Sequence, residues 1–272
     1  MTVGIAISPI AAFVISIGMV MSHQALAESD NAWYVAGQAE LKAKIARTPI
    51  TGNAKTVILF IGDGNGVSTN YATRVFQGQQ KGGYGEENVM AKESMPYLAL
   101  SKTYTTNAQT PDSAGTAVAI LSGVKSKSGV IGVDETLRRS ECADVAGAKV
   151  ESIGDVANSL GKSIGIVTTS RITHATPAAL YASVADRNFE ADIDLPEDCK
   201  VSDIAAQAFD KIIAGSLDFV MGGGRQNFLP SSVKDEEGKT GRRADNRNMV
   251  AEAKAAGVQY AWNEETFESL EL

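Results

Sequence analysis

Two short segments carry the chemistry of this chain. The first is TPDSAGTA, Thr110 to Ala117, where a serine opens a run of small residues with helical character. A serine at a helix N-terminus sits in a positive field beside free backbone N–H donors, a setting that suits an anionic phosphoryl group. The second is KTVILFIGDGNG, Lys55 to Gly66, where the apolar run Val57–Ile61 ends at Asp63 between two glycines. An aspartate just past a buried strand is placed to hold a cation at the carboxyl edge of a sheet. The pair predicts metal-assisted phosphoryl transfer through a covalent phosphoserine at Ser113. The plainer readings are that Ser113 is only a helix N-cap and Asp63 only a turn residue. A dinucleotide loop is excluded: after Gly62 and Gly64 the third glycine position holds Val67, and a carboxylate there would repel a pyrophosphate.

A serine hydroxyl needs a base or a metal to become a nucleophile. Of the two histidines, His23 lies near the N-terminus and His174 stands alone in the rest of the chain. No G-x-S-x-G elbow surrounds Ser113, so metal activation is favoured over a serine-esterase triad. His174 and Thr176 follow the apolar run Ser163–Thr169, and Arg187 lies in ADRNF, 185–189. A guanidinium fork can hold two phosphoryl oxygens, and Asp112 can orient it through a carboxylate pair. The alternatives are a hydrogen-bonded loop histidine and a surface ion pair. Gly222-Gly223-Gly224-Arg225 lacks the G-K-[ST] ending of a P-loop and is read as close packing after a strand.

These segments, with SIGIVTTSRITHATPAALYASVADRNFE (163–190), DFVMGGGRQNFLP (218–230) and GRRADNRNMV (241–250), resemble the alkaline phosphatase family from about Lys55 onward. The resemblance implies a phosphomonoesterase in which Ser113 is the nucleophile and its oxygen binds zinc. Asp63 would bridge one zinc and a neighbouring magnesium, His174 and Thr176 would belong to the magnesium site, and Arg187 would clamp the phosphate. It further implies two zinc ions and one magnesium per subunit, a homodimer, and phosphate monoesters and inorganic phosphate as ligands. His174 follows the animal-type pattern; some bacterial relatives have aspartate there. The family's histidine-rich zinc-ligand segments are not among these 272 residues. Residues 28–272 are therefore read as the N-terminal portion of a catalytic domain, with little or no activity expected of this chain alone. The alternatives are a truncated, inactive paralogue and a phosphodiesterase of the same superfamily. The C-x-P-S-R signature of sulfatases is absent.

The elements that must position these residues follow from periodicity. Apolar runs at Val57–Ile61, Tyr97–Leu100, Ser163–Thr169 and Leu217–Met221 predict strands, and continuous apolar runs are those covered on both faces. Helices are expected over Ala32–Arg47, Val67–Phe76, Ser113–Leu121, Glu151–Leu160, Val201–Ile212 and Ala251–Ala256. Strands separated by helices predict an α/β fold, with a mostly parallel central sheet, helices on both faces and functional loops at one edge.

The chain is 44% hydrophobic with a net charge of -7, enough to bury a core and unsuited to holding nucleic-acid backbones. Residues 1–27 hold no Asp, Glu, Lys or Arg and close on Ala25-Leu26-Ala27, which predicts a cleaved secretory signal peptide and an exported, periplasmic or extracellular protein. The rival is an uncleaved anchor, which Ser8, Pro9, Ser16 and Ser22-His23-Gln24 interrupt too early for a comfortable span. No membrane association is expected after cleavage. In an oxidising compartment two cysteines most often pair, so Cys142–Cys199 is expected as a disulfide; the family resemblance implies the same, and the alternative is two free, partly buried thiols.

Overall fold

The computed structural model describes residues 31–271, so the expected signal peptide at 1–27 lies outside the described residues. The chain forms two compact units, one of residues 31–60 and 74–98, the other of residues 61–73 and 99–271. The first unit contains α1 (Ala32–Ile45), started by Asn31, whose side chain accepts from the Trp33 and Tyr34 amides. α2 (Val67–Gln80) has residues 67–73 in the second unit and 74–80 in the first. No helix among the described residues is long and apolar enough to cross a membrane.

The second unit carries α3 (Ser113–Ser122), α4 (Val145–Ala148), α5 (Ile153–Ser159), β1 (Gly165–Arg171), α6 (Ala175–Ala178), α7 (Ile204–Ile213), β2 (Phe219–Gly223), α8 (Met249–Ala255) and α9 (Glu264–Glu268). The fold is α/β. β1 and β2 pair in parallel, Gly165 with Phe219 through Val167 with Met221, and the register shifts before Arg171 meets Gly223. Their connection contains α6 and α7, as parallel pairing requires a crossover. At Gly222 an added Cβ would lie 2.6 Å from Thr168 Cγ2, so this glycine serves close strand packing.

The core gathers Val118 of α3, Val130, Ile131 and Val133 of the following loop, Ala175 and Ala178 of α6, Val184, and Ile204 and Ala208 of α7. Burying each branched aliphatic contributes roughly 1.5–3 kcal/mol. α3 ends at Gly123 in the left-handed region, φ 73°, which glycine adopts without a Cβ penalty.

Two expected strands are corrected. Val57–Ile61 and Tyr97–Leu100 join no ladder among the described residues. Their side chains explain why: Phe60 is 89% exposed and Leu100 87%. A run apolar on both faces becomes a strand only with neighbouring strands and a covering layer, and among the described residues no strand pairs with these segments.

The cysteines pair. Cys142–Cys199 closes a span of 57 residues with Cα atoms 5.2 Å apart. Replacing both by serine is expected to lower unfolding stability by roughly 4 kcal/mol in the chain-entropy model. Urea unfolding of the double variant measures this, and an unchanged midpoint would refute it.

Several carboxylates are held below their ordinary range. Burial pushes the Asp186 carboxyl up, and hydrogen bonds from Arg139, Asn188 and Ser140 more than offset it. Burial likewise raises Asp245, but Arg243 and the Arg247 amide hold it down. A depressed folded pKa stabilises the fold above the unfolded value and loses that contribution as pH falls through the folded value. The melting temperature is thus expected to be flat above about pH 5 and to fall steadily below about pH 4. Thermal melts across this range check it; a flat profile to about pH 2 would contradict it.

Candidate active site

Asp112, not Ser113, caps α3: its Oδ1 accepts from the Gly115 amide at 3.1 Å. This displaces the reading of Ser113 as an N-cap and makes it the first helical residue. Its side chain is consequently free of capping duty, and its Oγ donates to Asp63 Oδ1 at 2.7 Å. Gly115 fixes the seat of this helix end, since a Cβ there would meet Thr105 Cγ2 at 2.7 Å and the Lys127 carbonyl oxygen at 2.8 Å.

Asp63 is the hub of the site. Thr176 Oγ1 donates to its Oδ2 at 3.1 Å, and His174 Nδ1 lies 3.9 Å from the same oxygen. Thr176 sits on α6, which packs against α3, so helix packing brings Thr176 to the serine end of α3. His174 precedes α6 at the turn leaving β1, and its amide donates to the Arg171 carbonyl at 2.9 Å.

Arg187 closes the other side. Its Nη1 donates to Asp112 Oδ2 at 3.0 Å and its Nη2 to His174 Nε2 at 2.9 Å. The Gly129 amide also donates to Asp112 Oδ2, at 3.1 Å, and the Arg187 amide donates to the Gly129 carbonyl at 2.8 Å. Next to Arg187, Asp186 accepts both arms of Arg139 at 2.8 and 3.0 Å, which pins the segment. A guanidinium has five N–H donors, so those not given to Asp112 and His174 remain for an oxyanion.

An arginine only donates, so in the neutral imidazole Nε2 accepts and Nδ1 carries the proton. Burial pushes the His174 pKa down, Arg187 pushes it further, and Asp63 only partly opposes this. The ring is therefore neutral at neutral pH, with Nδ1 buried and without a hydrogen-bond partner among the described residues.

All six residues singled out from the sequence, Asp63, Asp112, Ser113, His174, Thr176 and Arg187, fall in one linked group. Sequence reasoning missed Glu190, a buried carboxylate that accepts from Arg171, Thr173 and Asn227. No spacing in the sequence points to it, because its partners Thr173 and Asn227 lie 17 and 37 residues away along the chain.

A serine at a helix N-terminus, an arginine fork and a carboxylate ringed by hydroxyls, on an α/β fold, make an arrangement that suits phosphoester chemistry. The family model for alkaline phosphatase matches residues 54–271, and the chain belongs to the alkaline phosphatase family. It is 43% identical over 243 residues to an alkaline phosphatase of Gadus morhua, covering 84% of this chain and 50% of that protein. It is 44% identical over 225 residues to the tissue-nonspecific isozyme of Gallus gallus, covering 77% of this chain and 43% of that protein. The chain thus spans about half the length of the relatives it matches. Among solved structures, the cold-active alkaline phosphatase of a psychrophilic Shewanella superposes with a TM-score of 0.42 at 26% identity, over 62% of this chain and 32% of that one.

Proposed function

We propose that the whole protein hydrolyses phosphate monoesters through a phosphoserine at Ser113. The observation that carries this reading is the Ser113 Oγ–Asp63 contact of 2.7 Å at the start of α3, in a chain of this family. Ser113 Oγ attacks phosphorus in line, the Oγ–P bond forms and the ester P–O bond breaks. The Ser113 hydroxyl proton is released as the Oγ–P bond forms, and the leaving alkoxide takes up a proton from solvent, so the two exchange with water. Water then attacks the phosphoserine, releasing inorganic phosphate and restoring the hydroxyl. Arg187 binds the equatorial oxygens and, held by Asp112, stabilises their charge in the transition state. Asp63 orients the serine lone pair, although a carboxylate alone does not ionise a hydroxyl at neutral pH.

Family membership implies two zinc ions and one magnesium. The donor set supports part of this. The Asp63 carboxylate and the Thr176 and Ser113 hydroxyl oxygens suit one divalent cation of hard character, with His174 beside them, its protonated Nδ1 3.9 Å from Asp63 Oδ2. The described residues contain no group of three or more His, Cys, Asp and Glu able to hold a metal, so they do not furnish two zinc sites. When bound, divalent cations supply an activated nucleophile and charge neutralisation. Asp63→Asn is expected to weaken Mg2+ or Zn2+ binding by more than about 100-fold, since losing even an outer-shell partner costs up to that much. Calorimetric titration of each metal measures this, and equal affinity in both proteins would remove Asp63 from the site.

The protein is further proposed to be exported, in keeping with its disulfide, with residues 1–27 cleaved and 28–272 forming part of the catalytic domain. A homodimer is proposed by family membership. Comparing hydrolysis of an aryl phosphate monoester, a diester and an aryl sulfate by the protein expressed from its own reading frame tests the reaction class. Preference for the monoester supports the reading; preference for the diester or sulfate overturns it.

A further inference from the structure

Glu190 lies three residues past Arg187 and is 9% exposed. Its Oε1 accepts from Arg171 Nη2 at 2.7 Å, and its Oε2 from Arg171 Nε at 2.7 Å, Thr173 Oγ1 at 2.6 Å and Asn227 Nδ2 at 3.1 Å. Thr173 and Asn227 are fully buried, and Asn227 Nδ2 also lies 2.7 Å from Thr173 Oγ1. Arg242 Nη1 donates to Asn227 Oδ1 at 2.9 Å and its Nη2 to Asp194 at 2.6 Å, which fixes the amide's orientation.

The backbone of Glu190 is equally constrained. Its carbonyl accepts from the Ala205 amide at 3.2 Å, and that of Phe189 from Ile204 at 2.9 Å, tying both to the start of α7. On the far side of the carboxylate, Arg171 ends β1 and Thr173 immediately precedes His174. One side chain therefore spans two segments: the turn 171–176, which presents His174 and Thr176, and the segment 187–190, which presents Arg187.

We infer that Glu190 is a positioning residue: its carboxylate, clamped on Arg171, Thr173 and Asn227, sets the distance between the His174–Thr176 turn and Arg187. The inference rests on the proposed phosphoester reading for what those groups do, but not for where they sit. Burial raises the Glu190 carboxyl, and Arg171 and Thr173 more than offset it, so it is ionised at neutral pH. A buried carboxylate that fills four donors leaves little slack. Slack at this point would be transmitted to the Arg187–His174 contact of 2.9 Å.

Glu190→Gln tests this, because the amide NH2 faces donors where the carboxylate accepted. The first readout is the 15N signature of the His174 ring, assigned with His174→Gln and recorded well below the unfolding midpoint. Wild type should show a fixed tautomer protonated at Nδ1; Glu190→Gln should show loss of that fixed tautomer. In the protein expressed from its own reading frame, kcat should fall by about 100-fold, with KM changed far less. Asp245→Asn, which weakens a separate ion pair to Arg243, lowers the melting temperature and should leave the His174 signature at wild type. Should Glu190→Gln fail to fold, Asn227→Ala is read by the same signature. A wild-type His174 signature in the Glu190 variant overturns the inference, as does an equal change in Asp245→Asn. Absence of phosphatase activity in the wild type would refute the functional reading alone, because the ring signature still decides the positioning.

Discussion

In the whole protein, Ser113→Ala is expected on the proposed mechanism to lower monoester turnover by at least about 10⁴-fold, a loss of about 5.5 kcal/mol of transition-state stabilisation. On the proposed mechanism this removes the oxygen that forms the covalent bond, and the nearby Thr116 Oγ1 is committed to the Asp112 carbonyl at 2.7 Å, inside the helix. The fold should survive the change. Asp112, rather than Ser113, caps α3, so alanine at the first helical position removes no cap and should shift stability by less than about 0.5 kcal/mol. A steady-state assay with a melting curve separates the two effects. Turnover within about tenfold of wild type would show that the hydroxyl is not the nucleophile.

Arg187→Ala is expected to cost about 10²–10³-fold in kcat/KM, the scale on which removal of one charge-stabilising donor group acts. Two neighbours lose a partner as well. Asp112 Oδ2 keeps only the Gly129 amide, and His174 Nε2 loses its donor. Arg187→Lys should recover only part of the loss, because an ammonium is a point charge and cannot hold two oxygens in a planar fork. Inhibition by inorganic phosphate should weaken in step with the loss in kcat/KM. Unchanged phosphate inhibition in Arg187→Ala would place the phosphoryl group elsewhere.

The candidate site was largely legible because its members sit in dense local motifs at element ends. TPDSAGTA, GDGNG, THATP and ADRNF each declare a turn or helix start, and the family resemblance linked them. Ser113 opens the helix as expected, and the alternative reading of it as the cap falls one residue off, since Asp112 and Ser113 are both good capping types and only the backbone decides between them. The strands were less legible. Val57–Ile61 has the composition of a buried strand, but its pairing depends on neighbours that the run itself does not specify. Least legible was the Glu190 cluster. Arg171, Thr173, Glu190 and Asn227 are brought together by the crossover between β1 and β2, and no spacing in the sequence announces a contact of that kind. The cysteines are the opposite case: two in an oxidising compartment already predict a pair, and the geometry of the two loops closes it.

The most direct measurement is an acid quench of the protein, expressed from its own reading frame, during turnover of an aryl phosphate monoester, followed by peptide mass spectrometry. The phosphoserine reading predicts a gain of one phosphoryl group on the peptide containing Ser113, absent in Ser113→Ala and absent without substrate. Steady turnover with no phosphoryl group on that peptide, or with the group on another residue, would contradict it.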